Sequence, residues 1–92
     1  RKGSRFIALA QGVTSKEEIE QRLEEVKRRY YDATHHCYAY RLITGEGIAT
    51  RADDAGEPSG SAGSPILQIL EGAGLLNVLV IVVRYYGGTK LG

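Results

Sequence analysis

The chain has 92 residues, of which 42% are hydrophobic and 25% are charged, and its formal net charge is +1. This length allows one domain with a single core, and the composition excludes an intrinsically disordered chain. The near balance of charge identifies no partner class. The single cysteine, Cys37, excludes an internal disulfide and suits a reducing compartment, so we expect a cytoplasmic protein. No apolar run approaches the about 20 residues of a membrane span, so we expect no membrane partner.

The first half of the chain predicts a strand, a helix and a hairpin. Within residues 4–13, the run from Phe6 to Ala10 places apolar or small side chains on both faces, which is typical of a buried strand. Ser15 and Glu18 form a capping-box pattern, and apolar residues every three or four positions then predict a helix to about Tyr31. Residues 36–43 and 48–51 predict two strands joined by a turn.

The second half predicts a long loop, a short helix and a last strand. Residues 52–63 are rich in Asp, Gly and Ser, and a loop of this length is often functional. Ser64 and Pro65 are typical of a helix start. The β-branched run within residues 75–83 predicts a central strand covered on both faces. The order β-α-β-β-α-β predicts a two-layer α+β domain, with a four-stranded sheet and the helices on one face.

The sequence His35-His36-Cys37 invites a metal or nucleophile hypothesis. Adjacent histidines entering a strand point to opposite faces, so they do not comfortably ligate one metal. Cys37 lies in an apolar alternation, which favours a buried thiol over a nucleophile activated by His35. We therefore assign no catalytic residue, no metal site and no cofactor.

Two glycine-rich segments carry most of the remaining chemistry. Asp53, Asp54 and Glu57 are carboxylates of the kind that bind Mg²⁺ or Ca²⁺, although the calcium-hand spacing is absent. The loop leads into a helix N-terminus, which favours an anion, and a turn-rich connector explains the same residues equally well. Residues 84–92 lack the spacing of a nucleotide-hydrolysing phosphate loop, although a tyrosine and cations at a sheet end can stack bases and contact phosphates.

Four segments together resemble the IMPACT/YigZ family, in order and across nearly the whole chain: residues 4–8, 33–41, 53–63 and 84–92. Ala55 and Ser61 depart mildly from the usual family pattern. The resemblance implies a fold like the second domain of ribosomal protein S5. It implies that the single domain, residues 1–92 here, continues past Gly92 into another helix. It also implies a role in translation, because eukaryotic relatives compete for the activator of an amino-acid-starvation kinase, and it brings no agreed catalytic residues.

The leading hypothesis is a noncatalytic module that acts through a protein partner of the translation machinery. Its expected surface lies at the ends of the strands and comprises His35, Asp53, Asp54, Glu57, Ser59, Gly60, Gly63, Arg84, Tyr86, Gly87, Gly88 and Lys90.

Two alternatives stay open. The first is direct RNA or ribosome binding, which would depend steeply on salt, and no DNA partner is expected. Its candidate residues are Lys27, Arg28, Arg29, Arg84, Tyr86 and Lys90. The second is an enzyme for an anionic small molecule, with His35 as the acid or base and Mg²⁺ on Asp53 and Asp54.

Overall fold

The structure is a computed structural model that describes residues 5–53 and 63–85. Six elements follow one another: β1 (Arg5–Gly12), α1 (Lys16–Arg29), β2 (His35–Thr44), β3 (Gly47–Asp53), α2 (Gly63–Gly72) and β4 (Val78–Tyr85). The strands form one antiparallel sheet in the order β1-β4-β2-β3. The predicted α+β class, the four-stranded sheet and the order of the elements are confirmed.

Helix α1 begins where its capping residues predict. Ser15 is extended, and its hydroxyl oxygen accepts a hydrogen bond from the Glu18 backbone N–H at 3.1 Å. The Glu18 carboxylate turns back and accepts from the Thr14 backbone N–H at 2.8 Å, so two N–H groups at the helix start are satisfied. The helix ends at Arg29, within two residues of the prediction.

Strands β2 and β3 form the predicted hairpin, with Gly45 and Glu46 between the paired residues Thr44 and Gly47. The Thr44 hydroxyl donates to the Gly47 carbonyl at 2.9 Å and accepts from the Glu46 N–H at 3.1 Å. Gly47 has a φ of 120°, which a side chain would strain. Pairing continues to Asp53, two residues beyond the predicted end of the third strand. Ala52 and Asp53 therefore belong to β3, and Gly63 belongs to α2, rather than to the predicted loop of residues 52–63.

Strand β4 lies in the interior of the sheet, between β1 and β2. Its side chains alternate: Leu79, Ile81 and Val83 are buried, whereas the residues between them are half-buried. The prediction of a central strand is therefore confirmed, although burial is deeper on one face. The strand begins at Val78 rather than at Leu75, because Gly74 and Asn77 adopt positive φ angles and turn the chain before it.

The main core lies between α1 and the sheet face that carries Leu79 and Ile81. Ile19 of α1 is 2% exposed there, and six buried residues form this cluster: Val13, Ile19, Leu42, Leu79, Ile81 and Val83. Cys37, Ala39 and Leu70 are also buried but lie outside the cluster.

The prediction that the first strand is buried on both faces is wrong. β1 lies at an edge of the sheet, where Phe6 is 56% exposed and Ala8 and Ala10 are also exposed. Local alternation of apolar residues gives no information about which strand receives only one neighbour.

Candidate functional site at one end of the sheet

One end of the sheet gathers the described part of the predicted surface. There β1 and β2 begin while β3 and β4 end, and His35 on β2 pairs directly with Arg84 on β4. The Arg84 carbonyl accepts a hydrogen bond from the Thr34 N–H at 2.8 Å. The Arg84 guanidinium lies over the Phe6 ring, 4.9 Å from its centroid. Arg84 therefore links three strands at this end, with its charge held against an aromatic face.

Asp53, the last residue of β3, and Gly63, the first residue of α2, form a second close pair. A Cβ atom at position 63 would lie 2.7 Å from the Asp53 nitrogen and 2.8 Å from its carbonyl oxygen. Only glycine permits this approach of the α2 N-terminus to the end of β3. Asp53 pairs with Tyr38, three residues along β2 from His35, so about 10 Å of strand separates the two pairs.

The other predicted surface residues fall outside the described ranges: Asp54, Glu57, Ser59, Gly60, Tyr86, Gly87, Gly88 and Lys90. The chain enters and leaves these segments at Asp53, Gly63 and Tyr85.

A polar cluster that the sequence did not predict lies beside Asp53. The Arg51 Nε donates to the Tyr38 hydroxyl at 3.1 Å, and its Nη2 lies 3.5 Å from an Asp53 carboxylate oxygen. The hydrogen bond to Tyr38, followed by the attraction of Asp53, raises the pKa of the Arg51 guanidinium. The cluster fixes a cation and a carboxylate at the end of β3. The alternation of β3 contained the signal, since Arg51 and Asp53 share a face.

A second unpredicted pair joins β4 to the segment after α1. The Tyr85 hydroxyl donates to the Asp32 carboxylate at 3.0 Å, and the Arg5 guanidinium lies 4.6 Å from the centroid of the Tyr85 ring. Desolvation, then the bond to Asp32, raise the pKa of the Tyr85 phenol. No local motif indicates such a pair, because its members are far apart in sequence.

Both histidines of the segment His35-His36-Cys37 are half-buried, and the cysteine is buried. The His36 Nε2 lies 2.8 Å from the Tyr30 carbonyl oxygen, and because a carbonyl only accepts, this nitrogen carries the proton. Cys37 is 0% exposed, which confirms the prediction of a buried thiol.

A family model described as the Impact N-terminal domain matches residues 2–92. The chain belongs to the IMPACT family. The family member YvyE of Bacillus subtilis is 39% identical over 89 residues, which cover 97% of this chain and 41% of that protein. YigZ of Escherichia coli is 37% identical over 99 residues, which cover 99% of this chain and 45% of that protein. The IMPACT-family chain thus spans less than half the length of these relatives.

Solved structures agree with this assignment. A crystal structure described as that of a hypothetical protein superposes on the whole chain with a TM-score of 0.79 and 37% identity, and 45% of that protein is covered. The two-domain translational regulator Yih1 superposes on the whole chain with a TM-score of 0.66 and 31% identity, and 36% of it is covered.

Two cations of the RNA hypothesis, Arg28 and Arg29, contact neighbours at the end of α1 in this IMPACT-family chain. Arg28 lies 3.4 Å from Glu24, and Arg29 lies over the Tyr30 ring at 5.6 Å, both at the end of α1. Within residues 5–53 and 63–85, no three His, Cys, Asp or Glu residues are grouped so that they could hold a metal ion. Neither described helix is long and apolar enough to cross a membrane.

Proposed function

We propose that this IMPACT-family chain is a noncatalytic module that regulates translation in the cytoplasm by binding a protein partner. The observation that carries the proposal is the similarity to Yih1, a translational regulator, at 31% identity over the whole chain. The family membership supports the same role.

The sheet end is the surface that we assign to this partner. Its described residues combine the Arg84 cation on β4, the Asp53 carboxylate on β3 and the half-buried His35 at the start of β2. Two segments that are glycine-rich in sequence follow β3 and β4 at this end. Polar groups held by a rigid sheet suit recognition, because little conformational entropy is lost when they bind.

The test is a pull-down from native lysate with the tagged chain, with and without nuclease. We expect a protein partner that survives nuclease treatment. The triple variant D54A/E57A/K90A should lose this partner, because it removes three charges from the assigned surface.

A matched control changes three exposed charges on α1, Lys16, Glu20 and Glu24, to alanine. It should retain the partner, and thermal unfolding should show both variants to be folded. Retention by D54A/E57A/K90A would reject the surface. Loss of all captured protein after nuclease treatment would replace the proposal with RNA or ribosome binding.

A further inference from the structure

One hydrogen bond shows which backbone groups of β1, an outer strand of the described sheet, point away from β4. Val13 N–H donates to the Asn77 carbonyl at 3.0 Å, and these two residues continue the β1–β4 register. In an antiparallel ladder, paired residues alternate between exchanging both bonds and pointing both groups outward. Odd-numbered β1 residues therefore bond to β4. The even-numbered residues direct their N–H and C=O groups away from it: Phe6, Ala8, Ala10 and Gly12.

This edge lacks the features that usually prevent pairing with another chain. Exposed edges are commonly protected by charges, prolines or bulges. Residues 6–10 of β1 contain none of these, and Ala8 and Ala10 present small side chains. The opposite edge of the sheet, β3, carries Arg51 and Asp53. Among the described residues, β1 pairs with β4 alone.

A crevice runs beside the same edge, between β1 and α1. It has a volume of about 280 Å³, and its apolar lining includes Leu9 of β1, Ile81 of β4 and Val26 and Tyr30 of α1. These side chains lie on the α1 side of the sheet, next to the position that a strand added to β1 would occupy. Alternate side chains of such a strand would point into the crevice.

The wall of the crevice carries a positive charge that no described carboxylate neutralises. Arg22 lies 2.6 Å from Glu25, which balances its charge. Arg29, one turn further along α1 from Glu25, lies over the Tyr30 ring and has no ion-pair partner among residues 5–53 and 63–85. A carboxylate on the occupant would complement this charge.

We propose that the β1 edge and its crevice bind an extended segment of a partner protein as an added antiparallel or parallel strand. Backbone hydrogen bonds to Ala8 and Ala10 supply affinity, apolar side chains enter the crevice, and a carboxylate lies near Arg29. This is strand addition, a common mode of peptide recognition. The surface differs from the sheet end proposed above, and its test does not depend on that assignment.

The test uses a fluorescent peptide of about eight residues in which valine alternates with threonine and one central threonine is replaced by glutamate. Anisotropy should show saturable binding to the chain. Ala8→Pro should weaken it about tenfold or more, because the ring removes an outward N–H and blocks approach while the bonds to β4 persist.

Thr50→Pro is the matched control. Thr50 lies on β3, where the hairpin pairing also directs its N–H outward, so the substitution blocks the opposite edge and should leave binding within about twofold. Arg29→Glu should weaken binding of the glutamate peptide about fivefold. The same variant should leave unchanged the affinity for the peptide that keeps threonine at that central position.

Hydrogen exchange gives a second readout. The peptide should slow exchange of the Ala8 and Ala10 amides and leave those of Leu9 and Gln11, already bonded to β4, unchanged. Absence of saturable binding, equal losses in the two proline variants, or unchanged exchange at Ala8 would each overturn the proposal. So would self-association of the free chain in sedimentation that Ala8→Pro abolishes, because a second copy would then occupy the edge.

Discussion

Replacing glycine with alanine at the two ends of α2 should change stability in opposite directions. Alanine favours a helix interior over glycine by about 1 kcal/mol, and less at a helix end. At Gly63, however, the new Cβ would lie 2.7 to 2.9 Å from three backbone atoms of Asp53, closer than real Cβ atoms come. Asp53 is held by pairing with Tyr38, so the backbone has little freedom to yield.

Overpacking of this kind costs about 1–3 kcal/mol, so we expect Gly63→Ala to lower the free energy of unfolding by about 2 kcal/mol. At Gly72 a Cβ atom would meet nothing within 4 Å, so Gly72→Ala should raise the free energy of unfolding by about 0.5 kcal/mol. For a domain of this size the Tm should fall by about 8–16 °C in the first variant and rise by a few degrees in the second.

Urea unfolding followed by circular dichroism measures both effects, and tyrosine fluorescence provides a second probe in this chain of six tyrosines. Comparing Gly63→Ala with Gly72→Ala separates the steric effect on stability from the effect of helix propensity, because both variants make the same substitution in the same helix. A Gly63→Ala protein at least as stable as the parent would refute the close approach of α2 to β3.

Three other outcomes follow from the core, the cap and the tyrosine pair. Leu79→Ala should lower the free energy of unfolding by about 2–5 kcal/mol, since the side chain is 1% exposed on the central strand; a loss below about 1 kcal/mol in urea titration would contradict its burial. Ser15→Ala should cost about 1 kcal/mol in the same assay, whereas an unchanged midpoint would mean that the cap contributes nothing. The raised pKa of Tyr85 stabilises the folded protein below the unfolded phenol pKa of about 10, and this contribution disappears as the pH rises through the folded value. The parent protein should therefore lose more stability above pH 10 than the Tyr85→Phe variant does. In an ultraviolet titration, Asp32→Asn should shift the ionisation of one tyrosine to lower pH. Identical titration curves for the parent and Asp32→Asn would exclude the bond to Asp32.

Local patterns predicted the elements whose causes are local. The start of α1 follows from Ser15 and Glu18, which meet within one helical turn, and the hairpin follows from the turn after Thr44. Local patterns did not predict that β1 lies at an edge of the sheet, because its position depends on pairing with residues distant along the chain. The same reason hid the bond between Tyr85 and Asp32.

The candidate site was predictable only as a list of residue types. The pairing of His35 with Arg84 required the adjacency of β2 and β4, which no local spacing encodes. The contact of Gly63 with Asp53 depends on how closely a helix end approaches a strand end. The extent of the single domain, the partner and the remaining surface residues stay predictions.

The sheet order imposes a sequence of events on folding. β4 comes last among the described strands yet separates β1 from β2, and Arg5 pairs with Tyr85. During synthesis the β2–β3 hairpin can form early, whereas β1 cannot pair until β4 has been synthesised. Pairings between strands so distant along the chain form slowly, because the entropy cost of closing a large loop precedes the contacts that offset it. A chain interrupted before Val78 would thus contain a hairpin and an orphaned strand instead of a smaller sheet.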